Sequence, residues 1–269
     1  MMSTNKADLP SALYQQGSIV DRLKGRPVAF FLDYDGTLTP IAERPEDAIL
    51  SDAVRKVVRR LACFCPVAIV SGRDRMVVEH LVDIKELTYV GSHGFDIAGK
   101  PGSGIRREVG LEYLPTLNEA EVVLRERLRN VSGALIERKK FSISVHFRLV
   151  TSSLVTLVED VVDAVLEYHP MLRKAGGKAV FELRPDLNWD KGSAVLWLLD
   201  TLRLNDAFAI HIGDDLTDET VFHAIVNRGA GIIVGHEGRH TAARFGLRDP
   251  GEVEQFLDSF PAFLKREQR

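Results

Sequence analysis

Short, continuous apolar runs constrain the fold of this chain more than any other feature. They cover residues 27–32, 67–70, 208–212 and 229–235. Runs of this length are typical of strands that are buried on both faces of a parallel sheet. Helical patterns lie between them, as in residues 51–64, where Ser51 is the predicted N-cap. This alternation predicts an α/β fold with a Rossmann-like parallel sheet and crossover helices.

The middle of the chain has a different order of elements. From about Thr116 the patterns run helix, two strands, helix, two strands, and Gly176 with Gly177 is predicted to join the last two strands. The second helix has the most regular apolar face, formed by Leu154, Leu157, Val158, Val161, Val162, Val165 and Leu166. Two helix-strand-strand units predict a smaller α+β domain inserted into the parallel-sheet core.

The change in pattern sets the predicted domain bounds. We predict a discontinuous core over residues 22–110 and 186–269, with the inserted α+β domain over residues 111–185. Residues 1–21 are polar and are predicted to be a flexible leader. The run at 229–235 is predicted to be the final strand.

Composition and charge exclude several functions. The 35 Lys and Arg against 38 Asp and Glu give a net charge of -3, which would not draw the chain onto nucleic acid or an acidic membrane. No apolar run approaches the roughly 20 residues of a membrane-spanning helix, and the first residues lack a signal-peptide core. We therefore expect a cytoplasmic protein that binds neither nucleic acid nor membrane, as a monomer or weak homo-oligomer.

The cysteines and three of the histidines carry no predicted chemistry. Cys63 and Cys65 are too close for an unstrained disulfide and too few for a zinc site. His223, His236 and His240 do not share a known metal-binding spacing with any carboxylate. We predict that all five are structural or surface residues.

Polar side chains follow three of the predicted strands. The pairs, in chain order, are Asp33 with Asp35, Ser71 with Arg73, and Asp214 with Asp215. One aspartate after a strand is most simply explained as a helix cap. Ligands of open parallel sheets, however, collect at the carboxyl ends of the strands. Three polar strand ends together therefore predict a functional site.

The carboxylates at these strand ends predict a metal ion. Asp33 and Asp35 are two residues apart, so their side chains point to the same side if the chain stays extended. With Asp214 beside them, three carboxylates would repel one another and have raised pKa values unless a cation lay between them. Oxygen ligands of this kind suit Mg²⁺, which also keeps several waters and binds substrate phosphate.

The same strand ends supply the parts that hydrolysis of a phosphate ester needs. Asp33 would attack phosphorus to form an aspartyl-phosphate, and Asp35 would protonate the departing oxygen and then deprotonate water. The hydroxyls of Thr37 and Ser71 could hold phosphoryl oxygens. Lys191, just before a predicted core helix, would provide a fixed positive charge.

The order of these motifs resembles that of the haloacid dehalogenase superfamily of phosphatases. The resemblance is carried by DYDGT at 33–37, VSGR at 70–73, WDKG at 189–192 and GDDLTDE at 213–219. It implies a Rossmann-like core with an inserted cap domain. It assigns Asp33 as nucleophile, Asp35 as acid and base, and Ser71 and Lys191 as phosphate ligands. The magnesium ligands that the resemblance implies are Asp33, the Asp35 carbonyl and Asp214, with Asp218 acting through a water.

Longer stretches resemble the trehalose-6-phosphate phosphatase family. They are FLDYDGTLTPI, VSGR, GSHGFDI, ERKKFSISVHFR, KAVFELRPDLNWDKG and GDDLTDE. The resemblance implies trehalose 6-phosphate as substrate and sugar contacts from the cap. These contacts would be Lys139, Ser142, His146 and Arg148 on the first cap strand pair and Glu182 on the last cap strand. Arg73, His93 and Asp96 would contribute from the rim of the core.

Two departures from the family pattern leave alternatives open. Asp96 stands where the family usually has glutamate, and Arg138 stands where it usually has an acidic residue. Both concern the sugar, so a phosphatase of sucrose phosphate or mannosylglycerate phosphate is an alternative. His146 and Arg148 could also be no more than the polar face of a strand. Two further alternatives are a glycosyltransferase that uses Asp33 and Asp35 to hold metal and nucleotide, and a non-catalytic sugar-phosphate sensor.

Overall fold

The computed structural model describes residues 4–5, 9–42, 44–177, 179–235 and 240–267. Contacts divide the chain into two compact units. The core unit consists of Met1–Arg107 and Trp189–Arg269, and the cap unit consists of Glu108–Asn188. Over the described ranges, no helix is both long and apolar enough to cross a membrane.

The strands and helices alternate in the core and group differently in the cap. The strands are β1 (Thr4–Asn5), β2 (Val28–Leu32), β3 (Val67–Val70), β4 (Thr88–Gly91), β5 (Asp96–Ala98), β6 (Arg106–Glu108), β7 (Leu135–Lys139), β8 (Ser142–His146), β9 (Leu172–Gly177), β10 (Val180–Pro185), β11 (Phe208–Gly213), β12 (Gly229–Val234), β13 (His240–Thr241) and β14 (Phe245–Leu247). The helices are α1 (Gln16–Asp21), α2 (Asp52–Ala62), α3 (Arg75–Val82), α4 (Leu114–Leu128), α5 (Ser152–Tyr168), α6 (Lys191–Thr201), α7 (Glu219–Ile225) and α8 (Pro250–Glu267).

An eight-stranded sheet forms the centre of the core unit, in the order β14-β12-β11-β2-β3-β4-β5-β6. The strands from β14 to β4 are parallel, and β5 is antiparallel to β4. In β2, Phe30 packs into the apolar cluster on one face and Phe31 into the cluster on the other. Burial on both faces explains why these strands read as continuous apolar runs. The predicted parallel α/β core is confirmed.

Helix α2 forms as its sequence predicts. The Ser51 hydroxyl accepts a hydrogen bond from the Val54 N–H at 3.2 Å and so caps the first turn. Its buried face consists of Val54, Val57, Val58 and Leu61. The basic residues opposite are used within the molecule, since Arg55 donates to the Leu81 carbonyl and Arg60 contacts Asp258.

Part of the predicted flexible leader packs onto the core instead. Ala12 and Ile19 are fully buried, and the Gln16 side chain donates to the Ser259 hydroxyl at 2.6 Å. The buried residues of this segment are spaced as on one helix face, but a glutamine among them conceals the pattern: Ala12, Gln16, Ile19, Val20 and Leu23. Thr4–Asn5 pairs with β13, and residues 1–3 and 6–8 lie outside the described ranges.

The prediction that residues 229–235 form the last strand is also wrong. Strand β14 follows and pairs in parallel with β12. Helix α8 then packs its apolar face on the sheet, where Phe260 meets Phe30 edge to face with ring centroids 5.2 Å apart. The sheet thus gains a further parallel strand and a closing helix.

The cap unit is a four-stranded antiparallel sheet, in the order β7-β8-β10-β9, with an apolar cluster shared by α4 and α5. Val158, Val162 and Val165 of α5 are buried as the periodicity predicts. Leu154 and Leu157 are not, because they are 37% and 46% exposed. The apolar face of α5 is therefore wider than the surface that it buries.

The glycines predicted to join the last two cap strands lie within a strand. Gly176 and Gly177 belong to β9 and pair with Phe181 and Val180 of β10. Between β9 and β10, Ala179 has a positive φ of 62°, and residue 178 lies outside the described ranges. Gly176 has open space where a Cβ would lie, so neither its packing nor a turn requires glycine there.

The packing of α1 predicts that its apolar side chains contribute to stability. Ile19→Ala removes a fully buried side chain, so the free energy of unfolding should fall by about 2–5 kcal/mol. Ile49→Ala is the matched control, because Ile49 is 68% exposed and its loss should change stability by no more than about 0.5 kcal/mol. Urea denaturation of both variants measures the difference. Equal stabilities would show that α1 does not pack as described.

Candidate active site

Three aspartates meet at the carboxyl ends of the central strands. Asp33 follows β2, Asp214 follows β11, and Asp218 ends the short 3₁₀ turn Leu216–Asp218. Each offers a carboxylate oxygen, and these atoms all lie within 4.8 Å of one another. The chain therefore concentrates negative charge at one point of the sheet edge.

Lys191, the first residue of α6, binds two of these aspartates. Its ammonium donates to Asp33 Oδ1 at 2.8 Å and to Asp218 Oδ1 at 2.9 Å, and the residue is only 3% exposed. The Asp190 carboxylate caps α6 by accepting from the Ser193 N–H at 2.8 Å, which fixes the start of the helix. Burial alone would lower the pKa of Lys191, but Asp218 and Asp33 outweigh it and raise the pKa above its usual value.

Asp218 is the most firmly held of the three aspartates. It is fully buried, and Oδ1 also receives a hydrogen bond from His211 Nε2 at 2.9 Å. Its other oxygen, Oδ2, accepts from the Asp215 N–H at 3.1 Å. Burial would raise the pKa of Asp218, but the charge of Lys191 and the hydrogen bond from His211 lower it well below the usual range. Asp218 is therefore ionised.

The other two aspartates are less well compensated. Burial raises the pKa of Asp33 well above its usual value, and the charges of Asp218 and Asp214 raise it further against the opposing charge of Lys191. Burial and the neighbouring Asp218 and Asp215 raise the pKa of Asp214 to about 7. The carboxylate oxygens converge, and Lys191 does not fully balance their negative charge. Oxygen ligands of this kind are those that Mg²⁺ prefers, so these residues fit a divalent cation.

Gly36 makes room for Asp214. Its φ is +74°, and a Cβ there would lie 2.2 Å from Asp214 Oδ2. The glycine of the DYDGT stretch is therefore required both by its backbone conformation and by the carboxylate packed against it.

Thr37 has a buried hydroxyl that no described residue satisfies. The residue is fully buried, and its Oγ1 has no hydrogen-bond partner in the described part of the chain. Thr39, which is equally enclosed, differs because its Oγ1 donates to the Tyr34 carbonyl at 3.2 Å. A buried hydroxyl without a partner costs stability, so Thr37 is suited to a bound ligand.

Asp35 does not join the three-aspartate cluster. The chain turns at residues 36–38, with the N–H groups of Leu38 and Thr39 both donating to the Tyr34 carbonyl. The group of converging carboxylates thus contains Asp33 and Asp214 as predicted, with Asp218 in the place expected for Asp35. Arg73 holds the Asp35 carboxylate in a two-pronged ion pair, with Nε 2.7 Å from Oδ2 and the second nitrogen 2.7 Å from Oδ1.

Ser71 and His93 lie next to each other at the end of β3. The Ser71 hydroxyl accepts from the Arg73 N–H at 3.1 Å, and its carbonyl accepts from the His93 N–H at 3.0 Å. The His93 ring lies against Gly72, where a Cβ would come within 2.5 Å of the ring. The structure thus places Ser71, Arg73 and His93 together.

Asp96 is placed in a different set of contacts. Its side chain is 4% exposed and accepts from Arg75 Nε at 3.0 Å and pairs with Arg106 at 3.3 Å. Arg75 in turn contacts Glu79. Asp96 and Arg75 are therefore the buried members of a group of charges in which Glu79 and Arg106 are about half exposed.

In the cap unit, Glu182 is the centre of a polar cluster on the sheet. It is 6% exposed, and its Oε1 accepts from the Ser142 hydroxyl at 2.8 Å and from Lys139 Nζ at 3.3 Å. Ser144 also contacts Oε1 at 3.4 Å, and Arg184 donates to Oε2 at 2.6 Å. Lys139, Ser142 and Glu182 were predicted from the sequence, whereas Ser144 and Arg184 were not.

His146 and Arg148 are separated by the end of β8. His146 Nε2 lies 2.9 Å from Glu137 Oε2, and this hydrogen bond lowers the pKa of Glu137. Arg148 was expected on the strand pair, but the strand ends at His146. Arg148 is exposed in a turn that the Val150 N–H closes on the Phe147 carbonyl at 3.0 Å.

The unusual Arg138 has a structural role. Its guanidinium donates to the carbonyls of Lys140 at 3.0 Å and Ser142 at 3.2 Å, and to the Asn118 side chain of α4 at 3.2 Å. It therefore ties the β7–β8 connection to α4.

The parallel core with an inserted antiparallel unit and an aspartate cluster at its strand ends defines a phosphatase fold of the haloacid dehalogenase type. The C-terminal domain of a Candida albicans trehalose-6-phosphate phosphatase superposes with a TM-score of 0.77 at 23% identity, covering 94% of this chain and 99% of that domain. A trehalose-6-phosphate phosphatase of Aspergillus fumigatus superposes with a TM-score of 0.66 at 26% identity, covering 94% of this chain and 99% of that one.

Sequence comparison identifies the family. The family described as trehalose-phosphatase matches residues 31–250. A trehalose 6-phosphate phosphatase of Zea mays is 40% identical over 265 residues, which covers 92% of this chain and 73% of the maize protein. Trehalose-phosphate phosphatase B of Arabidopsis thaliana is 39% identical over 262 residues, covering 93% and 70%. The chain belongs to the trehalose-phosphatase family, whose named members are phosphoric monoester hydrolases.

The raised pKa of Asp214 predicts a pH dependence of stability without metal. Its ordinary value is 3.8 and its folded value about 7, so between these pH values the unfolded chain releases this proton first. The stability that this group contributes is present below about pH 4 and is lost as the pH rises through about 7. As the pH rises from about 4 to about 7, the Tm of Asp214→Asn should therefore fall less than the Tm of the wild type.

Thermal unfolding in chelator, at several pH values, measures this effect. Asp206→Asn is the control, since Asp206 is exposed, and it should follow the wild type. Parallel curves for Asp214→Asn and the wild type would contradict the prediction.

Proposed function

We propose that this chain is a Mg²⁺-dependent phosphatase that hydrolyses trehalose 6-phosphate to trehalose and phosphate, as a step of trehalose biosynthesis. The carrying observation is the buried Asp33 carboxylate, which Lys191 holds at the end of β2 beside Asp214 and Asp218. The names of the Zea mays and Arabidopsis thaliana relatives support the substrate.

Asp33 is the proposed nucleophile. Lys191 contacts its Oδ1, which leaves Oδ2 for the attack on phosphorus. The new bond between Asp33 and phosphorus forms as the bond from phosphorus to the sugar oxygen breaks, which gives an aspartyl-phosphate. The positive charge of Lys191 favours the ionised carboxylate that this attack requires.

Asp35 is the proposed proton carrier. In the first step its carboxyl group gives a proton to the departing sugar oxygen. In the second step it takes a proton from the water that attacks phosphorus, and the Asp33 carboxylate is regenerated. Arg73 donates one hydrogen bond to each oxygen of Asp35, which fixes the carboxylate and leaves a second lone pair on each oxygen for the proton.

Binding of the phosphoryl group falls to donors around Asp33. Thr37 offers a hydroxyl without a partner in the described chain, Ser71 offers a second, and Lys191 supplies charge. Asp33, Asp214 and Asp218, with the Asp35 carbonyl, would hold Mg²⁺, which when bound supplies further positive charge to the phosphoryl oxygens.

The sugar requires donors and acceptors at several hydroxyls. The cap cluster of Lys139, Ser142 and Glu182 offers both, as do His146 and Arg148. Arg73 and His93 would contribute from the core. We propose that Asp96 supports the rim of the core indirectly, by holding Arg75, because its carboxylate already pairs with that residue.

The substrate proposal predicts a preference among phosphate esters. Phosphate release should be fastest from trehalose 6-phosphate in a panel with sucrose phosphate and mannosylglycerate phosphate, and Asp33→Asn should abolish it. Asp258→Asn is the control, because Asp258 forms only a half-exposed ion pair on α8. A preference for another ester would sink the substrate assignment, and full turnover in Asp33→Asn would sink the nucleophile.

A matched pair of threonines tests the phosphate-binding role of Thr37. Thr37→Val removes a hydroxyl that has no partner in the described protein, so stability should not fall, while kcat/KM should drop about 10²-fold. Thr39→Val removes a hydroxyl that donates to Tyr34, so stability should fall by about 1 kcal/mol with little change in kcat/KM. Urea denaturation and phosphate-release assays measure both quantities. The opposite pattern would assign Thr37 a purely structural role.

A further inference from the structure

We propose that His211 is a positioning residue of this active site, which orients Asp218 and, through it, Lys191. This inference rests on the proposed function, because it concerns the same metal and nucleophile. His211 lies within β11 and is fully buried, between the fully buried Ile210 and Ile212. A polar ring inside a parallel strand is costly unless both of its nitrogens are bonded.

Both ring nitrogens of His211 have partners. Nδ1 lies 3.0 Å from the Phe31 carbonyl of the neighbouring strand β2. A carbonyl only accepts, so Nδ1 carries a proton and donates. Nε2 lies 2.9 Å from Asp218 Oδ1. An ionised carboxylate also only accepts, so a ring that bonds to both partners carries a proton on each nitrogen. The ring therefore links the backbone of β2 to an aspartate of the site.

These contacts form a chain of hydrogen bonds that starts at Phe31 in β2 and returns to Asp33, directly after β2. From the Phe31 carbonyl it passes through His211 to Asp218, and from there to Lys191 at 2.9 Å. Lys191 then reaches Asp33 at 2.8 Å, two residues after Phe31. Through these hydrogen bonds, β2 fixes the position of Lys191, and β2 is also the strand that Asp33 follows.

Close packing also restricts the positions that the Asp218 carboxylate and the His211 ring can adopt. A Cβ at Gly213 would lie 2.3 Å from Asp218 Cγ, so the carboxylate packs directly on the backbone of β11. The Phe222 ring lies against His211 with centroids 5.3 Å apart. Without the Nε2 donor, Lys191 would be the one remaining partner of Asp218 Oδ1 among the described residues, and Lys191 also binds Asp33.

Two amide substitutions separate the contacts of His211. The Asn amide can reach where Nδ1 lies, so His211→Asn keeps the donor to Phe31 and loses the contact with Asp218. The Gln amide can reach where Nε2 lies, so His211→Gln keeps the contact with Asp218. We expect His211→Asn to lower Mg²⁺ affinity and kcat by about 10- to 100-fold, with the KM for the sugar phosphate unchanged. His211→Gln should stay within about threefold of the wild type.

Calorimetric titration with Mg²⁺ gives a readout that is independent of turnover, and phosphate release gives kcat and KM. His223→Asn on the exposed face of α7 is the control and should match the wild type. Equal Mg²⁺ affinities in His211→Asn and His211→Gln would overturn the proposal, since His211 would then only fill space. If His211→Asn does not fold, a loss above about 10-fold in His211→Gln overturns it, because that variant keeps the contact.

Failure of the proposed function looks different. A wild-type protein that neither binds Mg²⁺ nor releases phosphate would refute that function. The coupling of His211 to Asp218 would then be measured in the metal-free protein, by a double-mutant cycle of His211→Asn and Asp218→Asn. We expect the two losses of Tm to be non-additive, and additive losses would overturn the positioning role.

Discussion

The buried ammonium of Lys191 is the interaction on which the rest of the site depends. It is the charge that allows Asp33 and Asp218 to lie together inside the protein, because each carboxylate alone would be expensive to bury. Its position follows from the start of α6, which Asp190 caps. The fold thus prepares the negative site before any ligand binds, and this preorganisation is what charge stabilisation in catalysis requires.

The sequence predicted the core well for a physical reason. Strands buried on both faces must be apolar throughout, and the carboxyl ends of parallel strands meet at one edge. Reading the residues after β2, β3 and β11 therefore located Asp33, Ser71 and Asp214 without knowledge of any contact. The helix caps at Ser51 and the apolar face of α2 are equally local signals.

What the sequence did not predict depends on contacts between distant segments. The Arg73 partner of Asp35 lies on another strand end, and Leu154 and Leu157 continue an apolar face beyond the surface that α5 buries. The packing of α1 was hidden because Gln16 is buried through a hydrogen bond to Ser259. His211 offered one signal, a polar residue within an apolar run, whose meaning depends on a carboxylate seven residues later.

Gly36 and Asp214 show how two distant stretches form one unit. The space that a side chain at position 36 would need is taken by the Asp214 carboxylate. A side chain at position 36 would have to displace the Asp214 carboxylate, although the two positions are 178 apart in the chain numbering. An engineer who wished to transplant the DYDGT loop into another protein would have to bring the loop after β11 with it. The smallest portable piece of this site is therefore a pair of adjacent strands, not a motif.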